Sequence, residues 1–376
     1  EKIFKKLNKE IIQAYENYSS AFDWHGHRLF AVDGSKLNLP RSLHKQGYNL
    51  PSKGHYPQGL VSTLYQLKSK IPYDFDLVSH GDERKCACSH FSTLKANDIV
   101  VYDRGYFSYH MLHEHTKNGF HGIFRLPEQS FTAISDFIKS DAHDEIVTIE
   151  PKGETRRNIE KKHPEINITP LQLRLIKYQF EQTTYCLGTT LLDDSYSSKD
   201  FSDIYHSRWG IEELYKISKC LIGIEDFHGK SERTIRQELF AHFVLITLSR
   251  LFSNHGDDEL ARLPQANATS TRQPKKSKLS RDFRTLVRVN FKNCLAAISH
   301  NMEMLILNRG ENLNGISTKI INAVMEVKQK TRPSRSYPRK SMKPDSRWQP
   351  NKKKMKQLKK PAERATTLAT VAIASA

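Results

Sequence analysis

Four polar side chains recur at helical spacing in one short segment, at Tyr205, Arg208, Glu212 and Lys219. On an α-helix with about 100° per residue, Arg208 lies at about −60°, Glu212 at about −20° and Lys219 at about −40° from Tyr205. Glu213 would point elsewhere, at about +80°. One helical face therefore joins a carboxylate to a phenol and two cations, a set that can bind a metal ion and phosphates. The alternative is a solvated face with an Arg208–Glu212 ion pair.

Two aspartates stand at the ends of β-like runs. Residues 27–33 read HRLFAVD and end at Asp33, with Gly34 and Ser35 following as a predicted turn, and residues 97–103 read NDIVVYD and end at Asp103. In a sheet flanked by helices, chemistry concentrates at the carboxyl ends of the strands. Each aspartate taken alone could equally be a helix cap or a turn residue.

A helix carrying Glu212 beside these two strands would bring three carboxylates together. Asp33, Asp103 and Glu212 would then supply hard oxygen ligands, which suit Mg²⁺ or Mn²⁺. Two such ions about 4 Å apart activate an attacking oxygen and stabilise a leaving oxygen in phosphoryl transfer. The three residues are therefore the candidate catalytic and metal-binding residues, with two divalent ions as cofactors.

The pattern Y-x2-R-x3-E-x6-K in this segment resembles the YREK motif of bacterial insertion-sequence transposases, in the insertion sequence 4 family of the DDE class. Residues 32–35 (VDGS) resemble the first-acid motif of that family, and residues 102–107 (YDRGYF) its second-acid motif. Residues 227–231 and 237–239 are similar to the region after the glutamate. The resemblance extends over residues 25–340, with the motifs in the expected order.

The resemblance implies a ribonuclease H-like core with a β-rich insertion before the helix that carries the glutamate. It implies metal binding at the three acids and DNA binding by Tyr205, Arg208 and Lys219, to which we add Arg104 and Lys230 from the neighbouring motifs. It also implies double-stranded DNA partners, namely transposon ends and target, a homodimer in the DNA complex and a hairpin intermediate. Trp209, beside the motif, could stack on a base or pack in the core.

The elements that must position these residues indicate an α/β fold, a mixed sheet flanked by helices. Residues 58–67 and 72–80 predict a hairpin, and residues 83–95 and 109–117 predict helices. The predicted division is an N-terminal helical segment (1–24), a first part of the core (25–119), a β-rich insertion (120–196), a second part of the core (197–253), a basic linker (254–281), a C-terminal helical region (282–330) and a basic tail (331–376). Helices are predicted at residues 198–222, 231–252 and 283–307.

Composition favours a polyanionic partner. The chain of 376 residues has a formal net charge of +18, and residues 332–364 carry 13 Lys or Arg against two acids. Such a proline-containing basic segment is predicted to be disordered and to bind phosphates, or else to serve solubility. Neither a run of about 20 apolar residues nor a signal peptide is visible, which argues against a membrane partner. An odd number of cysteines, five, with no export signal indicates a reducing, intracellular compartment, and the predicted location is cytoplasmic and nucleoid-associated.

Three functions remain open from the sequence. The first is a transposase that cuts and joins DNA by a two-metal mechanism. The second is a truncated remnant that only binds element ends, suggested by a first residue that is Glu1 rather than methionine. The third is another ribonuclease H-like nuclease. That function would not explain why Tyr205, Arg208 and Lys219 share one helical face.

Overall fold

The computed structural model describes residues 1–18, 24–52, 54–79, 81–128, 130–180, 183–262, 287–307 and 313–330. Eight strands form one mixed sheet in the order β3-β2-β1-β4-β5-β8-β7-β6. Their bounds are β1 Leu29–Asn38, β2 Gln58–Gln66, β3 Ile71–Val78, β4 Ile99–Tyr102, β5 His121–Arg125, β6 Asp144–Ile149, β7 Leu171–Phe180 and β8 Thr183–Thr189.

Strand direction divides the sheet. β2 and β3 form the predicted antiparallel hairpin, and β2 pairs antiparallel with β1. β4 and β5 run parallel to β1, as in the predicted ribonuclease H-like core. The remaining strands β8, β7 and β6 are antiparallel additions to β5. Residues 120–196, predicted as a β-rich insertion, thus contribute four strands that continue the same sheet.

The register of β1 and β4 sets the positions of the two aspartates. Their parallel pairing ends at Ala31↔Val101, so Asp33 and Asp103 each lie two residues beyond the last pair. The predicted turn after Asp33 is wrong, because β1 continues to Asn38. Its second half is held by β2, with Gly34 opposite Ser62. Asp33 therefore stands within a strand but at the edge where the parallel pairing stops.

Ten helices surround the strands in the described part of the chain. They are α1 Lys2–Tyr18, α2 Glu83–Ser89, α3 Tyr109–Asn118, α4 Thr132–Lys139, α5 Gly153–Lys162, α6 Ser198–Ser207, α7 Trp209–Ile217, α8 Glu232–Arg262, α9 Phe291–Leu307 and α10 Leu313–Glu326. The predicted helix over 198–222 is thus confirmed in two α-helical parts, and it ends in a π-helical turn, Ser218–Ile222. The mixed sheet flanked by helices confirms the predicted fold class.

Alternation along the strands builds a core on each face of the sheet. Phe30 and Val32 of β1 point to the face covered by α3 and α4. Ala31, between them, points to the opposite face, which α7 and α8 cover. On that second face Phe75 of β3 stacks on Phe243 of α8 with ring centroids 4.4 Å apart. Odd-numbered residues of β1 therefore look towards α7.

The C-terminal helices differ from prediction at their bounds. The polar loop predicted from residue 254 is wrong as far as Arg262, because α8 extends to that residue. Gly256 is buried, and a Cβ there would lie 3.0 Å from Val289 Cγ1. α9 begins at Phe291 rather than 283, after a short strand, β9 Val287–Val289, that pairs with β10 Lys328–Lys330. These helices pack on α8 through an apolar cluster of their own.

Two predicted basic segments fall where the structure gives no description. Residues 263–281 of the linker and residues 331–376 of the tail lie outside the described residues. The described residues all belong to one compact unit. Within the described residues, none of the helices has the length and apolar character needed to cross a membrane.

A buried ionic network joins β1 to β4 at the end opposite the aspartates. The Arg28 guanidinium donates from Nε and Nη2 to the Asp98 carboxylate, at 2.8 and 2.5 Å, and from Nη1 to Glu16 of α1 at 2.6 Å. Arg28 and Asp98 are both nearly inaccessible, at 4% and 3%. The backbone N–H of Ile99 also donates to the Arg28 carbonyl. The network fixes the register on which the positions of Asp33 and Asp103 depend.

Candidate active site

The structure places the three predicted acids on three different elements. Asp33 lies within β1, Asp103 directly follows β4, and Glu212 lies in the first turn of α7. The two aspartates are partly buried, whereas 45% of the Glu212 side chain is exposed. All three lie on the face of the sheet that α6 and α7 cover. The two strands and the helix that carry the three acids therefore lie together, as the strand ends and the helical angle predicted.

The helical face that carries Glu212 meets the aspartates directly. Arg208 joins α6 to α7 with helical dihedrals, φ −52° and ψ −31°, so the face continues across the junction. The Tyr205 hydroxyl donates to Asp103 Oδ1 at 3.3 Å. Arg208 Nη2 donates to Glu212 Oε1 at 3.1 Å. Tyr205 and Arg208 are thus gathered with the acids, as predicted from their spacing.

Arg208 is the cation at the centre of this group. It is buried, at 6% exposure, and its charge interacts with Asp103, Glu212 and Asp33. Burial alone would lower the pKa of Arg208, but the neighbouring phenol and acids raise it overall. Its Nε is buried and, among the described residues, has no hydrogen-bond partner. One guanidinium therefore serves as counter-charge for three carboxylates.

Burial perturbs the pKa of Asp33. Burial is the main cause that raises the pKa of Asp33 to about 6, and the charges of Glu83 and Glu212 raise it further. A hydrogen bond from the Gly34 backbone and the charge of Arg208 act in the opposite direction without cancelling the rise. A divalent cation would favour the ionised form of this buried carboxyl, since carboxylate oxygens are its preferred ligands. The residues therefore fit such a cation.

The three acids do not form a closed ligand cluster. Within the described residues, the side chains whose ligand atoms all lie within 4.8 Å of one another belong to a different group, at His110, His163 and Glu165. Glu212 is the exposed member of the acid set, and its carboxylate is bonded to Arg208.

Sequence reasoning missed two residues at this site. Tyr215 of α7 donates from its hydroxyl to the backbone carbonyl of Asp33 at 2.7 Å and lies 3.2 Å from that of Val61. Its place three residues after Glu212, on the same helical side, was the available signal. Glu83, in the first turn of α2, adds a fourth carboxylate whose charge acts on Asp33. Its approach depends on the fold of the segment after β3, which no local pattern encodes.

Replacement of Tyr215 by phenylalanine should separate positioning from packing. We expect Tyr215→Phe to lower the free energy of unfolding by about 1 kcal/mol, since a buried hydroxyl loses its hydrogen bond to Asp33. Urea unfolding would measure the change. Tyr102→Phe is the matched control, because the Tyr102 hydroxyl is buried and has no hydrogen-bond partner among the described residues. Equal losses in the two variants would show that the Tyr215 hydroxyl does not hold α7 to β1.

The other predicted DNA-binding residues lie farther out. Lys219, in the π-helical turn, donates from Nζ to the Lys36 carbonyl at 2.8 Å, three residues beyond Asp33 along β1. Burial lowers the pKa of Lys219. Arg104 and Lys230 are exposed, the first directly after Asp103 and the second in the loop before α8. Trp209 is 51% exposed, so of the two alternatives for it core packing is the weaker.

A groove lies next to Glu83, whose charge acts on Asp33. It encloses about 600 Å³ and is lined by the residues Lys36, Asn49, Gln58, Gly59, Asp82 and Glu83, among others. Lys36, whose backbone carbonyl accepts a hydrogen bond from Lys219, is one of the residues that line the groove. The groove therefore connects the predicted Lys219 contact with the carboxylate of Glu83.

Part of the chain resembles a known protein family. Residues 24–248, more than half of the chain, match the family model described as a transposase DDE domain. No curated protein matches the chain. A piggyBac transposase synaptic complex with hairpin DNA is a structural neighbour, with a TM-score of 0.45 and 8% sequence identity. That match covers 79% of this chain and 57% of the other, so the chain spans little more than half the length of that protein.

Proposed function

The chain belongs to the transposase DDE domain family, and we propose that it is a DNA transposase that cleaves and joins DNA strands at the site formed by Asp33, Asp103 and Glu212. The observation that carries the proposal is the position of Arg208, whose charge acts on all three acids at once. Three carboxylates gathered around one buried cation supply the oxygen ligands that divalent metal ions prefer. Such a site suits phosphodiester chemistry.

The residues of the site have different roles in the proposed mechanism. Asp33, Asp103 and Glu212 would hold Mg²⁺ or Mn²⁺ ions, two in the proposed mechanism. When bound, these ions would activate the attacking oxygen and stabilise the leaving one. Tyr205 orients the Asp103 carboxylate through its hydroxyl. Arg208 would supply positive charge to a phosphate at the DNA end.

Partners follow from charge and from the motif. The net charge of +18 supports binding to double-stranded DNA, both the ends of an element and a target. Arg104, Lys219 and Lys230 would bind phosphates around the acids. The Y-x2-R-x3-E-x6-K pattern supports membership of the insertion sequence 4 family, with cut-and-paste transposition by a homodimer in the DNA complex.

A pair of adjacent glutamates provides the test. We expect Glu212→Gln to reduce Mg²⁺-dependent cleavage of DNA at least about 100-fold while DNA binding persists. Glu213→Gln is the matched control, since Glu213 is equally exposed but acts on Lys70 and Arg250 instead. It should keep cleavage within about threefold of the wild-type rate. The substrate is a supercoiled plasmid with the DNA that flanks the reading frame.

The readouts separate the candidate functions. Gel mobility reports DNA binding, and product analysis reports cleavage and strand joining. Wild-type protein that binds the flanking DNA but never cuts it would identify a remnant that only binds element ends. Nicking without joined product would indicate a nuclease. Cleavage that survives in Glu212→Gln but is lost in Glu213→Gln would reverse the assignment of the glutamate.

A further inference from the structure

A second cluster of metal-ligating side chains lies outside the acid site. His110 is the second residue of α3, His163 directly follows α5, and Glu165 lies two residues later. One ligand atom from each lies within 4.8 Å of the other two. His163 Nδ1 and Glu165 Oε1 are 3.3 Å apart, and the two imidazole rings are stacked with centroids 4.0 Å apart and planes at 11°. Helix α3 and the segment that follows α5 thus bring three possible metal ligands close together.

The spacing fits a small borderline cation. Around an ion with ligand bonds of about 2.1 Å, tetrahedral ligands stand about 3.4 Å from one another. The 3.3 Å between His163 and Glu165 already meets this distance. The His110 ligand atom lies within 4.8 Å of the other two, and the His110 side chain is only partly buried. Two imidazoles and one carboxylate, with a fourth position open, are a common zinc ligand set.

The protonation states suit a metal as well. Burial is the main cause that lowers the pKa of His110, and the charge of His163 lowers it further, against Glu114 and Glu165. His110 is therefore neutral at physiological pH, which is the form that binds metals. A backbone hydrogen bond first, and then His163, lower the pKa of Glu165. His113 is the other titratable group that acts on His110.

We propose that His110, His163 and Glu165 form a binding site for Zn²⁺ that fastens the connection between α5 and β7 onto α3. α5 has no fully buried residue and contacts the core through the partly buried Ile159, so a fixed point at its C-terminal end would add to its attachment. The same connection is already held at Thr169, whose carbonyl accepts from the Tyr109 hydroxyl at 2.6 Å and whose N–H donates back to it at 2.9 Å. The metal would add a second fixed point beside His110.

The proposed zinc site is independent of the function proposed for the acid site. The site lies on α3, which begins six residues after Asp103, and it uses none of the acids. It predicts a structural cation of different chemistry from the one the oxygen site would take. Two nitrogen ligands favour Zn²⁺ over Mg²⁺.

Zinc titration of the full chain by calorimetry, with Mg²⁺ in excess, tests the proposal. We expect His163→Ala and His110→Ala each to weaken Zn²⁺ binding at this site at least about tenfold. His228→Ala is the matched control, since His228 also lies beside a glutamate, 3.5 Å from Glu238, but is 96% exposed and outside the cluster. It should bind Zn²⁺ as the wild type does. Circular dichroism would confirm that each variant is folded, and His163→Gln repeats the test with a bulkier side chain.

A variant of the acid site distinguishes the two places where Zn²⁺ could bind. Glu212→Gln should retain the zinc affinity that His163→Ala loses. Co²⁺ in place of Zn²⁺ should give visible absorption typical of nitrogen ligands in the wild type and in Glu212→Gln, but not in His163→Ala. The proposal is overturned if zinc binding is absent from the wild type, or if Glu212→Gln loses it while His163→Ala keeps it.

Discussion

Asp33→Asn is expected to reduce DNA cleavage at least about 10³-fold and, in the same protein, to raise the stability of the metal-free state. The loss follows because an amide is a poor substitute for a carboxylate ligand. The gain follows because ionised Asp33 is held in a partly buried position beside other acids, with a pKa of about 6. Activity and stability should therefore move in opposite directions.

The pH dependence of the stability gain has a definite sign. The pKa of Asp33 is about 6 in the folded protein, against an ordinary value of 3.8. Protonation of Asp33 thus favours the folded state; this contribution is complete below about pH 4 and is lost as pH rises through about 6. At pH 7 the asparagine variant should be more stable than wild type by up to about 3 kcal/mol, and the difference should vanish near pH 4.

Chemical unfolding with a chelator present, repeated from pH 4 to pH 8, measures the effect. Asp141→Asn is the control, since Asp141 is an exposed carboxylate. It should change neither cleavage nor the pH profile. Mg²⁺ should then stabilise the wild type and not Asp33→Asn. A stability difference that is constant with pH would refute the assignment of the perturbed carboxyl to Asp33.

Arg28→Met is expected to lower the free energy of unfolding by about 3–5 kcal/mol, because it leaves the buried Asp98 carboxylate without its partner. The two side chains are joined by two hydrogen bonds and are almost fully inaccessible. Arg156→Ala is the control. It removes an exposed ion pair with Glu160 and should cost less than about 1 kcal/mol.

A double variant tests the cause of that loss. Arg28→Met combined with Asp98→Leu removes both charges and should recover part of the stability lost by Arg28→Met alone. Urea unfolding of the wild type, Arg28→Met, the double variant and Arg156→Ala measures the four free energies of unfolding. If Arg28→Met costs no more than Arg156→Ala, the network does not hold β1 to β4.

Much of the site could be predicted from the sequence, because the patterns that mark its residues are local. Asp103 ends a short apolar run, and the face that holds Tyr205, Arg208 and Glu212 is a matter of helical angle alone. The end of β1 was predicted wrongly, since its last five residues are held by pairing with β2, a contact that a Gly-Ser pair does not reveal. Pairing between distant strands overrode a local turn preference.

Other features depended on contacts that no window of sequence contains. α8 continues to Arg262 because Gly256 is covered by Val289, more than 30 residues later. Lys219 falls in a π-helical turn, so the angle expected for a regular helix does not apply to it. Tyr215 reads as an ordinary apolar residue until its hydroxyl is seen against the Asp33 carbonyl.

The shared offset of the two aspartates from Ala31↔Val101 bears on which changes of chain length the protein can tolerate. Deletion of a single residue within β4 would swing the carboxylate of Asp103 to the opposite face of the sheet, since side chains alternate along a strand. A deletion of two would restore the face but displace the acid by about 6–7 Å. By contrast, the loops between β1 and β4 can lengthen or shorten without moving either acid. Homologous chains should therefore vary freely in the number of residues that separate the two aspartates, while the count from the last paired residue to each acid stays at two.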